Sequence, residues 1–194
     1  MGMASSRRYG MQEVTMVTTS NASDWRCTIA ESQSPIKWYA LGNTYWGDTP
    51  AIDFIGNTGS ETVTVKSSRG LTLLNCYVIQ LTKLDVSKNV SLTKLYCSGN
   101  QLTELDGSGN VSLTKFWCDN NKLTKLNVSK NVSLTELYCH YNQLTKLDVS
   151  KNVSLSFLHC YNNPNLTIYV NATQLANIPS NWQKDATATY VLKQ

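Results

Sequence analysis

The sequence predicts a right-handed, parallel β-rich solenoid of about five 21-residue coils with a cover at each end. Two observations predict it. Four consecutive 21-residue segments align without a gap: LTKLDVSKNVSLTKLYCSGNQ from Leu81, LTELDGSGNVSLTKFWCDNNK from Leu102, LTKLNVSKNVSLTELYCHYNQ from Leu123 and LTKLDVSKNVSLSFLHCYNNP from Leu144. Within each segment the apolar residues alternate over short stretches, as a strand with one buried face requires. A weaker fifth copy precedes them, because Val65, Leu71, Leu74, Cys76 and Gln80 fall 21 residues before Val86, Leu92, Leu95, Cys97 and Gln101. No single coil can bury its leucines, so stability must come from stacking, and both ends need covers.

Taken in order, Met1 to Met11 reads as a leader-like segment, expected to be disordered; it lacks the apolar run of a secretory signal. Residues 12–59 form the N-terminal cover, residues 60–164 the repeats and residues 165–194 the C-terminal cover. At 194 residues the chain has room for one such array and little more. Its formal charge of +4 is spread without a basic block, which argues against a nucleic-acid surface. No apolar stretch is long enough to span a membrane, and the chain as given is expected to be soluble.

Each unit nests two half-patterns, L-x-x-L-x-V-x-x-N (Leu81, Leu84, Val86, Asn89) and L-x-x-L-x-C-x-x-N (Leu92, Leu95, Cys97, Asn100). Both match the leucine-rich-repeat consensus, so the expected class is a leucine-rich-repeat solenoid. Two asparagine columns follow, Asn100, Asn121, Asn142, Asn163 and Asn89, Asn110, Asn131, Asn152. Asn carries both donors and acceptors, so inward-facing Asn can satisfy backbone groups that a tight turn leaves unpaired. Asn89, Asn110, Asn131 and Asn152 also begin Asn-x-Ser tripeptides, by-products of the repeat whose inward side chains could not carry a glycan in a folded coil.

Cys76, Cys97, Cys118, Cys139 and Cys160 recur at a consensus leucine position and read as a buried column of free thiols. Side chains on in-register strands meet disulfide geometry poorly. Cys27 has no evident partner. Zinc is disfavoured at Cys139-His140 and His159-Cys160, because successive strand residues face opposite sides and a core-facing Cys sends its neighbouring His to solvent. Asp85, Asp106, Asn127 and Asp148 are expected to bond backbone N–H groups at the turn in preference to calcium.

The repeat LTxLDVSxNxxLTxLxCxxNQ resembles the nested leucine-rich repeats of bacterial cell-surface and secreted proteins, gut-bacterial ones included. The flanks resemble the same group. Trp46-Gly47-Asp48 and VTVKSSRGLTLLNC stand where that group carries a β-rich N-terminal cap, with Thr49 in place of an expected glycine. Trp182, Lys184, Asp185 and Tyr190 match its C-terminal cap. The resemblance implies an extracellular or cell-surface location and a protein partner.

With L-x-x-L-x-C taken as the strand on the concave side, the outward residues form three columns. The middle one reads Asn75, Tyr96, Trp117, Tyr138, His159; Leu73, Lys94, Lys115, Glu136, Phe157 flank it on one side and Tyr77, Ser98, Asp119, His140, Tyr161 on the other. These positions vary while the framework stays fixed, so the fold does not dictate them. The candidate binding residues are Tyr96, Trp117, Tyr138, His159, Lys94, Lys115, Glu136, Asp119, His140 and Tyr161. An aromatic stripe supplies interface area or a platform for sugar rings; equally, aromatics on a parallel sheet can simply stack on one another. Asp119 and His140 are expected to make a solvated surface contact, with a pH-sensitive pair as the alternative. No catalytic motif, cofactor site or metal site is expected, and the chain is expected to act as a monomeric binding scaffold. A glycan-binding module and a passive spacer are the other readings.

Overall fold

The computed structural model describes residues 11–194, so all of the leader-like segment except Met11 lies outside the described residues. The first strands are β1 (Gln12–Thr18), β2 (Ile29–Ser32), β3 (Lys37–Ala40), β4 (Asn43–Trp46) and β5 (Glu61–Ser67). The coils then supply β6 (Leu71–Asn75), β7 (Leu81–Asp85), β8 (Lys94–Tyr96), β9 (Glu104–Asp106), β10 (Lys115–Trp117), β11 (Lys125–Asn127), β12 (Glu136–Tyr138), β13 (Lys146–Asp148) and β14 (Phe157–His159). The chain ends in β15 (Thr167–Val170), a short helix α1 (Ala172–Ala176), β16 (Trp182–Gln183) and β17 (Thr189–Leu192).

The L-x-x-L-x-C strands build one seven-stranded sheet in the order β16-β14-β12-β10-β8-β6-β2. It is parallel and in register from β6 to β16, with β2 laid antiparallel on β6 as its edge. The structure is thus a leucine-rich-repeat solenoid, and its sheet has six parallel rungs. The sixth, β16, comes from the non-repeating C-terminal segment. The other half-repeats form smaller groups: β4-β3-β5-β1-β7, the pair β9-β11, and β13-β15-β17. In the first group β1 lies antiparallel between β5 and β7, so a strand from before the repeats is inserted between two strands of the early coils.

The interior follows the repeat. Leu102, Leu113, Leu123, Leu134 and Leu144 are fully buried, and each such burial stabilises the fold by about 1.5–3 kcal/mol relative to an exposed side chain. All six cysteines are buried and free. Burial pushes the Cys76 thiol up to about 12 and holds Cys97, Cys118 and Cys139 well above the usual thiol range. Cys27, for which the sequence offers no partner, joins the end of this column. Thr28 N–H donates to Asn75 O at 2.9 Å, which seats the cap against the rung carrying Cys76, and burial and the neighbouring Cys76 together raise the Cys27 thiol.

The asparagine columns perform the expected bonding, but unequally. Asn121 Nδ2 donates to Cys97 O (3.0 Å) and Cys118 O (3.1 Å), while its Oδ1 accepts Leu102 N–H (3.0 Å); Asn100, Asn142 and Asn163 repeat this pattern. In the other column, Asn110, Asn131 and Asn152 use both amide hydrogens on carbonyls of the preceding coil. Their Oδ1 atoms are buried without a hydrogen-bond partner among the described residues. The acidic column bonds backbone as expected: Asp85, Asp106, Asn127 and Asp148 each accept the N–H two residues on.

Candidate functional site

The outward side chains of β8, β10, β12 and β14 are held in register by the parallel ladder, so residues 21 apart in sequence become lateral neighbours. Tyr96, Trp117, Tyr138 and His159 form one continuous ring stack, with centroids 4.5, 5.0 and 4.4 Å apart in succession. Each ring is half-buried. The stripe is therefore self-stacked and solvent-facing at once, the two arrangements that composition leaves as alternatives. Burial raises the Tyr96 and Tyr138 hydroxyls above the usual phenol range, so both rings stay neutral at physiological pH.

On one flank Lys94, Lys115, Glu136 and Phe157 align across the ladder. Lys115 Nζ meets Glu136 Oε1 at 2.7 Å, and this bond holds the Lys115 ammonium above its ordinary value. Lys94 sits beside Lys115 in register, and Phe157 stands exposed at the next rung after Glu136.

The other flank corrects an expectation. Asp119 and His140 are not a solvated contact: Asp119 Oδ2 lies 3.7 Å from His140 Nε2, and each side chain is only 14% exposed. The His after Cys139 does not project freely, because Tyr161 stacks on its ring at 4.6 Å and Tyr141 meets it edge-on at 5.5 Å. Ser98 Oγ donates to Asp119 Oδ1 (2.6 Å) and Asn120 Nδ2 to its Oδ2 (2.8 Å), so the carboxylate is fixed from two sides. His140 Nδ1 is buried without a hydrogen-bond partner among the described residues. Burial, the largest influence, holds the His140 pKa below the ordinary imidazole value against the opposing pull of Asp119.

All ten candidate residues thus share one face, in three columns. Between the middle column and the Asp119 flank runs a groove of about 390 Å³, lined by Asn75, Tyr77, Tyr96, Trp117, Asp119 and His140 among others. Tyr77 and Tyr141 belong to this neighbourhood and are absent from the sequence-derived set; they are 57% and 52% exposed. A backbone signal marks the second. Val78, Gly99, Asn120, Tyr141 and Asn162 occupy one repeat position, and all have left-handed φ between 51° and 70°. Gly and Asn adopt that conformation readily, whereas Val78 and Tyr141 do so at a cost. Among the described residues no three His, Cys, Asp or Glu side chains converge as metal ligands. No helix there is long and apolar enough to cross a membrane.

The nested period, the in-register parallel sheet and the buried asparagine columns define a leucine-rich-repeat protein. The family described as Leucine Rich repeats (2 copies) matches residues 90–131. Among solved structures the chain is similar to one described as the functional domain of InlJ from Listeria monocytogenes, which includes a cysteine ladder. The two share 28% identity with a TM-score of 0.50, over 75% of this chain and 39% of that one. This chain therefore spans well under half of that domain's length. Comparison with curated proteins returned no match.

Proposed function

We propose that the face carried by β8, β10, β12 and β14 recognises a protein partner and performs no catalysis. The observation that carries this reading is the half-buried stack of four rings, placed at positions that vary between coils whose framework recurs. Large rings held rigid by neighbours lose little entropy when a partner covers them, and tyrosine and tryptophan are enriched at interface centres. A leucine-rich-repeat scaffold suits this role, since the coils fix the spacing of every outward column.

The stacking also weighs against sugar recognition. Trp117 has Tyr96 on one side and Tyr138 on the other at stacking distance, so its faces are occupied and its edge is what remains for a ligand. A sugar ring packs on an open aromatic face. The resemblance of the repeat to bacterial cell-surface and secreted proteins supports an extracellular setting.

Paired capture experiments with the intact chain and a Trp117→Ala, Tyr138→Ser variant test the proposal. A specific protein should be retained by the first and lost by the second, with both melting cooperatively. Identical capture by the two would overturn the reading and leave the spacer role. Binding confined to a glycan array and abolished by the same substitutions would replace it with carbohydrate recognition.

A further inference from the structure

We propose that the groove beside the ring stack takes an arginine guanidinium projecting from the protein partner, with Asp119 as its counter-ion. This rests on the protein-recognition reading above and specifies the chemistry of one contact within it.

Among the described residues Asp119 is the one carboxylate lining this groove, and no lysine or arginine lines it. The nearest cationic side chains of the face, Lys94 and Lys115, stand on the far side of the ring stack, where Lys115 is engaged by Glu136. His140 approaches Asp119 without neutralising it, because the buried imidazole favours its uncharged form. A largely buried carboxylate without a full counter-charge, walled by aromatic rings, sits in a medium of reduced dielectric where an incoming cation gains more than it would in water. The fixed donors Ser98 and Asn120 hold the carboxylate in place without cancelling its charge.

The walls select the shape of that cation. Tyr96 and the exposed Tyr77 line the same groove as Asp119, so a flat cation bonded to the carboxylate lies among aromatic rings. A guanidinium is planar, stacks on tyrosine and presents paired N–H donors to a carboxylate, whereas an ammonium offers only a point charge.

His140 then makes the contact sensitive to pH. Its ring faces Asp119 at 3.7 Å and is surrounded by Tyr138, Tyr141, His159 and Tyr161, with ring centroids 6.3, 5.5, 6.2 and 4.6 Å away. None of these supplies a second carboxylate. A protonated His140 therefore turns to Asp119 and competes with the guest.

The test is an NMR titration of the full chain with Nα-acetyl-arginine methylamide and with its citrulline counterpart, which keeps the shape and lacks the charge. The arginine probe should shift the Trp117 indole and the amides of Ser98 and Asp119, and the citrulline probe should not. Asp119→Asn, which retains the hydrogen-bonding shape, should weaken the arginine response at least about tenfold. Glu104→Gln, on the opposite half-repeat, should leave it unchanged. Acidification through the imidazole range should weaken binding in the native chain. The overall charge of +4 opposes non-specific attraction of a cation. Equal shifts from both probes, or an unaltered response in Asp119→Asn, would overturn the inference. If neither probe shifts the groove while the ring-stack variant still loses its partner, the guanidinium site falls and the protein-recognition reading stands.

Discussion

At Gly107 an added Cβ would lie 2.8 Å from Cε1 of Phe116. Gly107 stands where the other coils carry Val86, Val128 and Val149, and Phe116 where they carry Leu95, Leu137 and Leu158. The larger ring fills the space the missing side chain leaves, so one interior volume is divided differently in this coil. Gly107→Val should therefore overpack the core and cost about 1–3 kcal/mol. The added Phe116→Leu should recover most of that loss, giving a coupling of about 1 kcal/mol or more in urea unfolding. Strictly additive effects would show that the two positions do not share space. His140 supplies a second test at this scale. Its folded pKa lies below the ordinary value of about 6.5, so the unfolded chain takes up the proton first as the pH falls. The stabilisation from a neutral His140 is complete above that value. It declines as the pH drops below it and is gone once the pH passes the folded pKa. Between pH 7.5 and 5.5 the urea midpoint of the native chain should fall more than that of His140→Gln; parallel curves would refute the assignment.

The C-terminal cap closes the two asparagine columns with a different side chain for each. Asp185 accepts the N–H groups of Asn162 and Asn163 at 2.9 and 3.0 Å, which have no further coil to bond. Gln174, from α1, donates to Val149 O and Asn152 O, the role an asparagine of another coil would take. Trp182 lies buried over the last coil with its indole N–H on Leu155 O at 3.2 Å. Deleting residues 165–194 should thus bare leucines and two strand edges together, and the product should aggregate. A truncated chain that stays monodisperse and melts cooperatively would contradict this. The same elements mark how far sequence reasoning reached. Contacts between coils repeat every 21 residues, so the core, the thiols, the asparagines and the outward columns were all legible. Contacts made by chain reversal, or by a parallel strand from outside the repeats, carry no such period. The insertion of β1 between β5 and β7, the seating of Cys27 near Cys76 and the sixth rung β16 therefore had no signature. The burial of His140 was hidden for a related reason. Alternation correctly sends it away from the core, but Tyr141 and Tyr161 pack around it on the outer face.

A solenoid built from translational repeats distributes its stability over neighbouring interfaces, so the molecule should tolerate loss of a whole coil better than loss of part of one. Leu123 to Gln143 is such a unit, and its removal would join Lys122 to Leu144 in the register that Lys122 and Leu123 now hold. Asn121 Nδ2 already bonds upstream carbonyls, and Asn163 Oδ1 already accepts the N–H of Leu144, so the ladder rules remain satisfied across the junction. β10 would then pair with β14 and place Trp117 beside His159. The shortened chain should fold cooperatively with unchanged β content by circular dichroism. It should melt several degrees lower, because each kcal/mol lost shifts the midpoint of a domain this size by about 2–4 °C. It should also lose Tyr138 and His140 together, halting the ring stack one member short and removing the imidazole from Asp119 while leaving the Tyr77–Tyr96–Asp119 end of the groove in place. Arginine binding should consequently survive the deletion and lose its sensitivity to acid. A deletion product that fails to fold would show that the coils are not interchangeable, and one that binds arginine with undiminished pH dependence would remove His140 from the account of the groove.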